Sequence, residues 1–113
     1  MMDKFSIHSS ASGDVVVVTA SGRFDSETSL SLDFELTKAL GQKNKLVLDL
    51  SGVEYLSSAG LRAIVKALQS AKAAGGGVKL ANASKPVETI LRTVGMMEML
   101  KIYPSVSEAV ADF

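Results

Sequence analysis

The chain contains no cysteine among its 113 residues. Disulfides, thiolate zinc sites and cysteine nucleophiles are therefore excluded. It has 1 histidine, which excludes a metal site built on several imidazoles. Charge of one sign is missing too: 12 Lys and Arg face 12 Asp and Glu. A nucleic-acid binder or a polybasic membrane anchor would need a basic surplus. Long hydrophobic runs are absent. The longest aliphatic run is Val15–Val18, far short of the ~20 residues a membrane span needs. The start, MMDKFSIHSS, lacks the apolar stretch of an export signal, so a soluble cytoplasmic protein is expected.

What is present points to a folded chain. Apolar residues make up 47% and charged residues 21%, a balance that favours a packed core over disorder. The length fits a single domain over residues 1–113. No linker, low-complexity tract or internal repeat divides it.

The elements alternate. Residues 4–8 read as a short strand with Phe5 and Ile7 on one side. Gly13-Asp14 is a turn signal, and the β-branched run Val15–Ala20 reads as a buried strand, giving an opening hairpin. Residues 26–40 are ambiguous. Leu30, Leu32, Phe34 and Leu36 alternate as in a strand, whereas Leu32, Leu36, Ala39 and Leu40 share a helical face. Length favours the helix, with Asp25 or Ser26 as its cap and Gly41 at its end.

Lys45–Leu50 reads as a central strand, with Asp49 at its end. Residues 58–74 carry the stripe Leu61, Ile64, Val65 and Leu68, with Arg62, Lys66 and Gln69 opposite. Gly75–Gly77 then stops the helix before a short strand, Val78–Ala81. Ser84 caps the next helix, with Pro86 in its first turn. Its stripe is Val87, Ile90, Leu91 and Val94, and Gly95 ends it. Leu100–Tyr103 reads as the last strand and Ser105–Asp112 as a final helix with Val106 and Val110 inward. The order β-β-α-β-α-β-α-β-α implies an α/β domain with a mixed, mostly parallel sheet and helices packed against it.

Few residues invite chemistry. Asp49 stands where α/β folds often bind ligands, beyond the carboxyl ends of strands. A receiver-like phosphoaspartate site would also need an acidic cluster after the first strand, where His8-Ser9-Ser10 stand instead. Asp49 is therefore read as a hydrogen-bond acceptor for loop amides. His8 is read as an ordinary strand residue. Gly75–Gly77 follow a helix rather than opening one, so they form a turn and not a phosphate loop. Met96, Met97 and Met99 read as packing beneath the last strand. No Gly-x-Ser-x-Gly elbow is present.

The informative stretch is VEYLSSAGLR, residues 53–62. It sets a pair of hydroxyls, Ser57 and Ser58, where a loop gives way to a helix. Free N–H groups and a positive dipole end favour anions there. A phosphate on Ser58 would be held electrostatically. The simpler reading is that Ser57 caps the helix and Ser58 is its neighbour. Ala59-Gly60 keeps the first turn small, which allows close approach of a partner.

The stretch DLSGVEYLSSAGLRAIV resembles the central motif of the STAS domain family, in its single-domain form the anti-sigma factor antagonists. GRFDSET resembles that family's loop from the second strand to the first helix. LRTVGMMEMLKIYPSVSEAV resembles its C-terminal helix, glycine, strand and helix. The resemblance implies a phosphorylation-controlled binding protein rather than an enzyme, without cofactor or metal. It implies that an anti-sigma factor, itself a serine kinase, is bound by the unphosphorylated form. The kinase then modifies Ser58, with Ser57 the second candidate, and a PP2C-type, metal-dependent serine phosphatase reverses this. The implied partner surface is Arg23, Asp25, Ser26, Ser57, Ser58, Ala59, Gly60 and Arg62. The implied state is a monomer or weak dimer. The best-known members carry Asp before the serine, where this chain has Ser57. The alternative is a non-phosphorylated STAS module in a lipid-transport or signalling complex.

Overall fold

The computed structural model describes residues 5–95 and 100–113. The expectation for Met96, Met97 and Met99 lies outside them. Two strands, β1 (Phe5–Ser12) and β2 (Val15–Phe24), form the opening hairpin. They are followed by α1 (Ser29–Leu40), β3 (Lys45–Leu56), α2 (Ser58–Ala73), β4 (Gly77–Ala81), α3 (Lys85–Thr93), β5 (Ile102–Tyr103) and α4 (Val106–Ala111). The sheet order is β1-β2-β3-β4-β5. β1 runs antiparallel to β2, and the remaining pairs are parallel.

The run Val15–Val18 is apolar at every position because both faces of the sheet are covered. Val16 and Val18 of β2 join Leu46 and Leu48 of β3 in the larger core, under α1, α2 and α3. Val15, Val17 and Val47 point the other way, into a smaller core with Tyr103 and Ala109. In α4 it is Ala109 that is buried, while Val106 and Val110 pack at its margin.

Residues 26–40 resolve as helix from Ser29, preceded by a turn. Leu32, Leu36 and Ala39 are its buried face, so the helical reading holds and the alternating one does not. Gly41 does end α1, but with φ −69°, which any residue adopts. Val94 falls past the end of α3 and is exposed instead of continuing the buried stripe.

β3 does not stop near Asp49. It continues through Ser51-Gly52 to Leu56, because two irregularities absorb the extra residues against β2. The register passes from Thr19↔Asp49 to Ser21↔Gly52, and then from Gly22↔Val53 to Arg23↔Tyr55. A bulge leaves a residue out of the ladder. Here Asp49 Oδ1 accepts the Ser51 N–H at 3.0 Å. The same oxygen accepts from Asn82 Nδ2 at 3.1 Å, holding the left-handed Asn82 (φ 59°) after β4. Asp49 thus serves loop amides as expected, from inside a strand. Gly52 is required there: a Cβ would sit 2.5 Å from that of Ser21.

The triple glycine is more than a plain turn. Gly75 takes φ +87° after α2. Gly76 is pressed against the backbone of Asn44, whose carbonyl oxygen would lie 1.7 Å from an added Cβ.

Candidate functional site

The parallel strands β2 and β3 deliver their carboxyl ends to the same edge, and the two loops that leave them are bonded together. Ser57 N–H donates to the Phe24 carbonyl at 2.8 Å. Beside this link Arg23 lies over the ring of Tyr55, 4.9 Å from its centroid.

The β2–α1 loop is built on Asp25 and Thr28. Asp25 Oδ1 accepts the N–H groups of Glu27 at 2.9 Å and Thr28 at 2.8 Å. Thr28 Oγ1 accepts from Asp25 N at 2.9 Å and donates to the Arg23 carbonyl, also at 2.9 Å. Asp25 therefore organises the entry to α1, although it lies ahead of the helix rather than at its cap. Ser26 is carried on the outside of this turn and is exposed.

The β3–α2 junction separates the two serines. Ser57 is half-buried with extended backbone, φ −79° and ψ 175°. Its Oγ accepts the Gly60 N–H at 3.3 Å, so it is the N-cap of α2. Ser58 is the first residue of the helix and is exposed. Its hydroxyl has no hydrogen-bond partner among the described residues.

Gly60 is not part of the outer surface. It is buried, and an added Cβ would meet Leu56 Cδ2 at 3.1 Å and Ser29 Oγ at 3.2 Å. Its small size lets α2 approach α1 and does not make room for a partner. Seven of the eight expected residues are thus gathered with at least partial exposure, and Gly60 underlies them.

Arg62 stands one turn after Ser58 and is exposed. It borders two depressions. One lies between α1 and α2 and is lined by Ser26, Ser29, Leu30, Asp33, Ala59 and Lys66 among others. The other runs along the far side of α2, past Ser58, Leu61, Val65, Gln69 and Val94. The residues not foreseen are Tyr55, Ser29, Leu30, Phe34 and Lys66. One signal was available: Leu30 and Phe34 are one turn apart and fall outside the buried stripe of α1.

Among the described residues, no group of three or more His, Asp or Glu could hold a metal ion. No helix there is long and apolar enough to cross a membrane.

A profile of the STAS domain family matches residues 6–109, and the chain belongs to that family. A Thermotoga maritima protein that carries the name anti-sigma factor antagonist is 36% identical over 69 residues. That alignment spans 61% of this chain and 61% of the relative. A crystal structure of a T. maritima protein of the same name is 29% identical, with a TM-score of 0.83 over 94% of this chain and 92% of that one. The phosphorylated form of the Bacillus cell fate determinant SpoIIAA shares the fold at 14% identity. Its TM-score is 0.74, covering 95% of this chain and 98% of that one.

Proposed function

We propose that this protein is an anti-sigma factor antagonist. Unphosphorylated, it binds an anti-sigma factor that is also a serine kinase, and so frees the sigma factor. The kinase transfers the γ-phosphoryl group of ATP to Ser58 Oγ, and the modified protein is released. A PP2C-type serine phosphatase removes the phosphate by hydrolysis and resets the cycle. The names of the relatives support this reading. The observation that carries it is the division of labour between the serines: the Ser57 oxygen is engaged as a cap, while the Ser58 hydroxyl is exposed and without a partner among the described residues.

The physics of the switch follows from that position. A phosphate adds about −1.5 to −2 charges. At a helix N-terminus it meets free N–H groups and the positive end of the dipole, which stabilises it by roughly 0.3–1 kcal/mol. It therefore has no reason to unfold α2. In an interface fitted to a hydroxyl, an uncompensated anion costs about 2–5 kcal/mol. The switch acts at the surface, with little internal rearrangement.

The test is binding of the kinase by wild type and by Ser58→Asp. Loss of binding in Ser58→Asp, with binding retained in Ser58→Ala, is expected. Equal binding by all three would refute the proposal.

A further inference from the structure

We infer that the cleft between the first turns of α1 and α2 takes a carboxylate side chain from an amphipathic helix of the anti-sigma factor, whose apolar face covers Leu30 and Phe34. The inference rests on the function proposed above and extends its contact surface from the Ser58 turn onto α1.

The cleft has a volume of about 190 Å³. Its charges do not balance. Lys66 Nζ pairs with Asp33 at 3.2 Å. Arg62 has no ion-pair partner among the described residues, so one positive charge is left over at the rim. Inside lies Ser29, which is 3% exposed. Its Oγ is the one buried side-chain polar atom among the described residues without a hydrogen-bond partner. That oxygen is closed off from solvent where α1 packs against α2 near Gly60, so it is a packing feature and not a ligand contact. A partner carboxylate at the rim supplies the missing negative charge opposite Arg62.

A free small anion would balance the charge but leave the neighbouring surface bare. Leu30, on the rim of the cleft, is 70% exposed, and Phe34, one helical turn further along α1, is 66% exposed. Exposed apolar pairs at this spacing fit an apolar stripe on a partner helix. A second copy of this chain fits less well. A two-fold contact through this face would bring together two clefts that each carry a surplus positive charge.

The arrangement couples to the switch. Ser58 and Arg62 are at i and i+4 on α2, a spacing at which side chains meet. A phosphate on Ser58 draws the guanidinium toward itself, away from the α1–α2 cleft. The partner carboxylate then loses its counter-charge at the moment the hydroxyl contact is lost.

The experiment uses the full chain and its kinase partner, captured and identified with the wild type. Dissociation constants are measured by calorimetry for Arg62→Glu, Arg62→Gln, the double variant Leu30→Ser/Phe34→Ser, and His8→Ala as a remote control. Binding about tenfold or more weaker is expected for Arg62→Glu and for the double variant, with a smaller loss for Arg62→Gln. His8→Ala should bind as wild type. A photo-crosslinker at position 34 should attach to a partner segment bearing Asp or Glu beside apolar residues at helical spacing. Changing that acid to Lys should restore binding to Arg62→Glu. Unchanged affinities, beside normal phosphorylation of Ser58, would overturn this inference and leave the proposed function standing. Crosslinking at position 34 to a second copy of this chain would overturn it as well. Absence of both binding and phosphorylation in the wild type would instead remove the proposed function on which it rests.

Discussion

Ser57 and Phe24 are joined backbone to backbone, the Ser57 N–H donating to the Phe24 carbonyl at 2.8 Å. This bond brings the exit of β2 and the start of α2 together, although they are far apart in sequence. Arg23, Asp25 and Ser26 thereby share one surface with Ser58 and Arg62.

Ser57 caps α2, and in the proposed cycle Ser58 is the residue modified. Ser57→Ala should lower stability by about 1 kcal/mol, the usual worth of an N-cap. It should leave Ser58 a substrate of the kinase. Urea denaturation reads the first effect and phosphopeptide mapping the second. A variant of wild-type stability that is no longer phosphorylated would reverse the assignment of the two serines.

The bulged passage of β3 along β2 depends on Gly52. Gly52→Ala should destabilise by roughly 1–3 kcal/mol, since the new Cβ strikes that of Ser21 at 2.5 Å. Adding Ser21→Gly removes the clash, so the double variant should be more stable than the sum of the two single effects. Strict additivity in denaturation midpoints would show that the close approach is not the cause.

The sheet end away from the site carries a pH-dependent contact. Asp112 accepts from the Tyr103 hydroxyl and lies 3.5 Å from Lys101 Nζ. The Tyr103 hydrogen bond, followed by the Lys101 charge, holds its carboxyl below the ordinary value. A carboxyl with a depressed folded pKa stabilises the fold above its unfolded pKa. It loses that contribution as pH falls through the folded value. Asp112→Asn should therefore melt below wild type at neutral pH, with the gap closing in strong acid. Because the Asp112 side chain is exposed to solvent, the gap should be small and should shrink with salt. A gap that persists unchanged into acid would contradict the assignment.

Much of this was legible in the sequence where a local rule and the tertiary environment agree. The stripe of α2 appears as Leu61, Ile64 and Leu68 buried, with Arg62 and Gln69 outside. Ser57 and Ser84 cap as their positions indicate. The strand boundary near Asp49 was misread because Ser51-Gly52 carries a turn composition. Only the neighbouring strand reveals that a bulge accommodates it. Gly60 was misread for a related reason. Its neighbours Leu56 and Ser29 come from β3 and α1, and a local motif cannot show that the missing Cβ serves packing between them. Leu30 and Phe34 were absorbed into an ambiguity between alternation and helix. Their exposure became meaningful only once α1 was fixed as a helix with Leu32 and Leu36 inward.

A surface switch should leave the fold in place. Amide chemical shifts of the phosphorylated and free protein should differ within residues 55–65 and along the α1 face of the cleft, and agree elsewhere. Widespread changes through β1, β4 or α4 would point to a rearrangement instead.

The central claim is that Ser58, and not Ser57, is the switch. The most direct measurement is phosphopeptide mapping by mass spectrometry after incubation with the partner kinase and ATP. A single phosphate on Ser58, absent from Ser58→Ala and present in Ser57→Ala, is the predicted result. A phosphate on Ser57 or outside this turn, in a wild-type protein that binds its kinase, would contradict it.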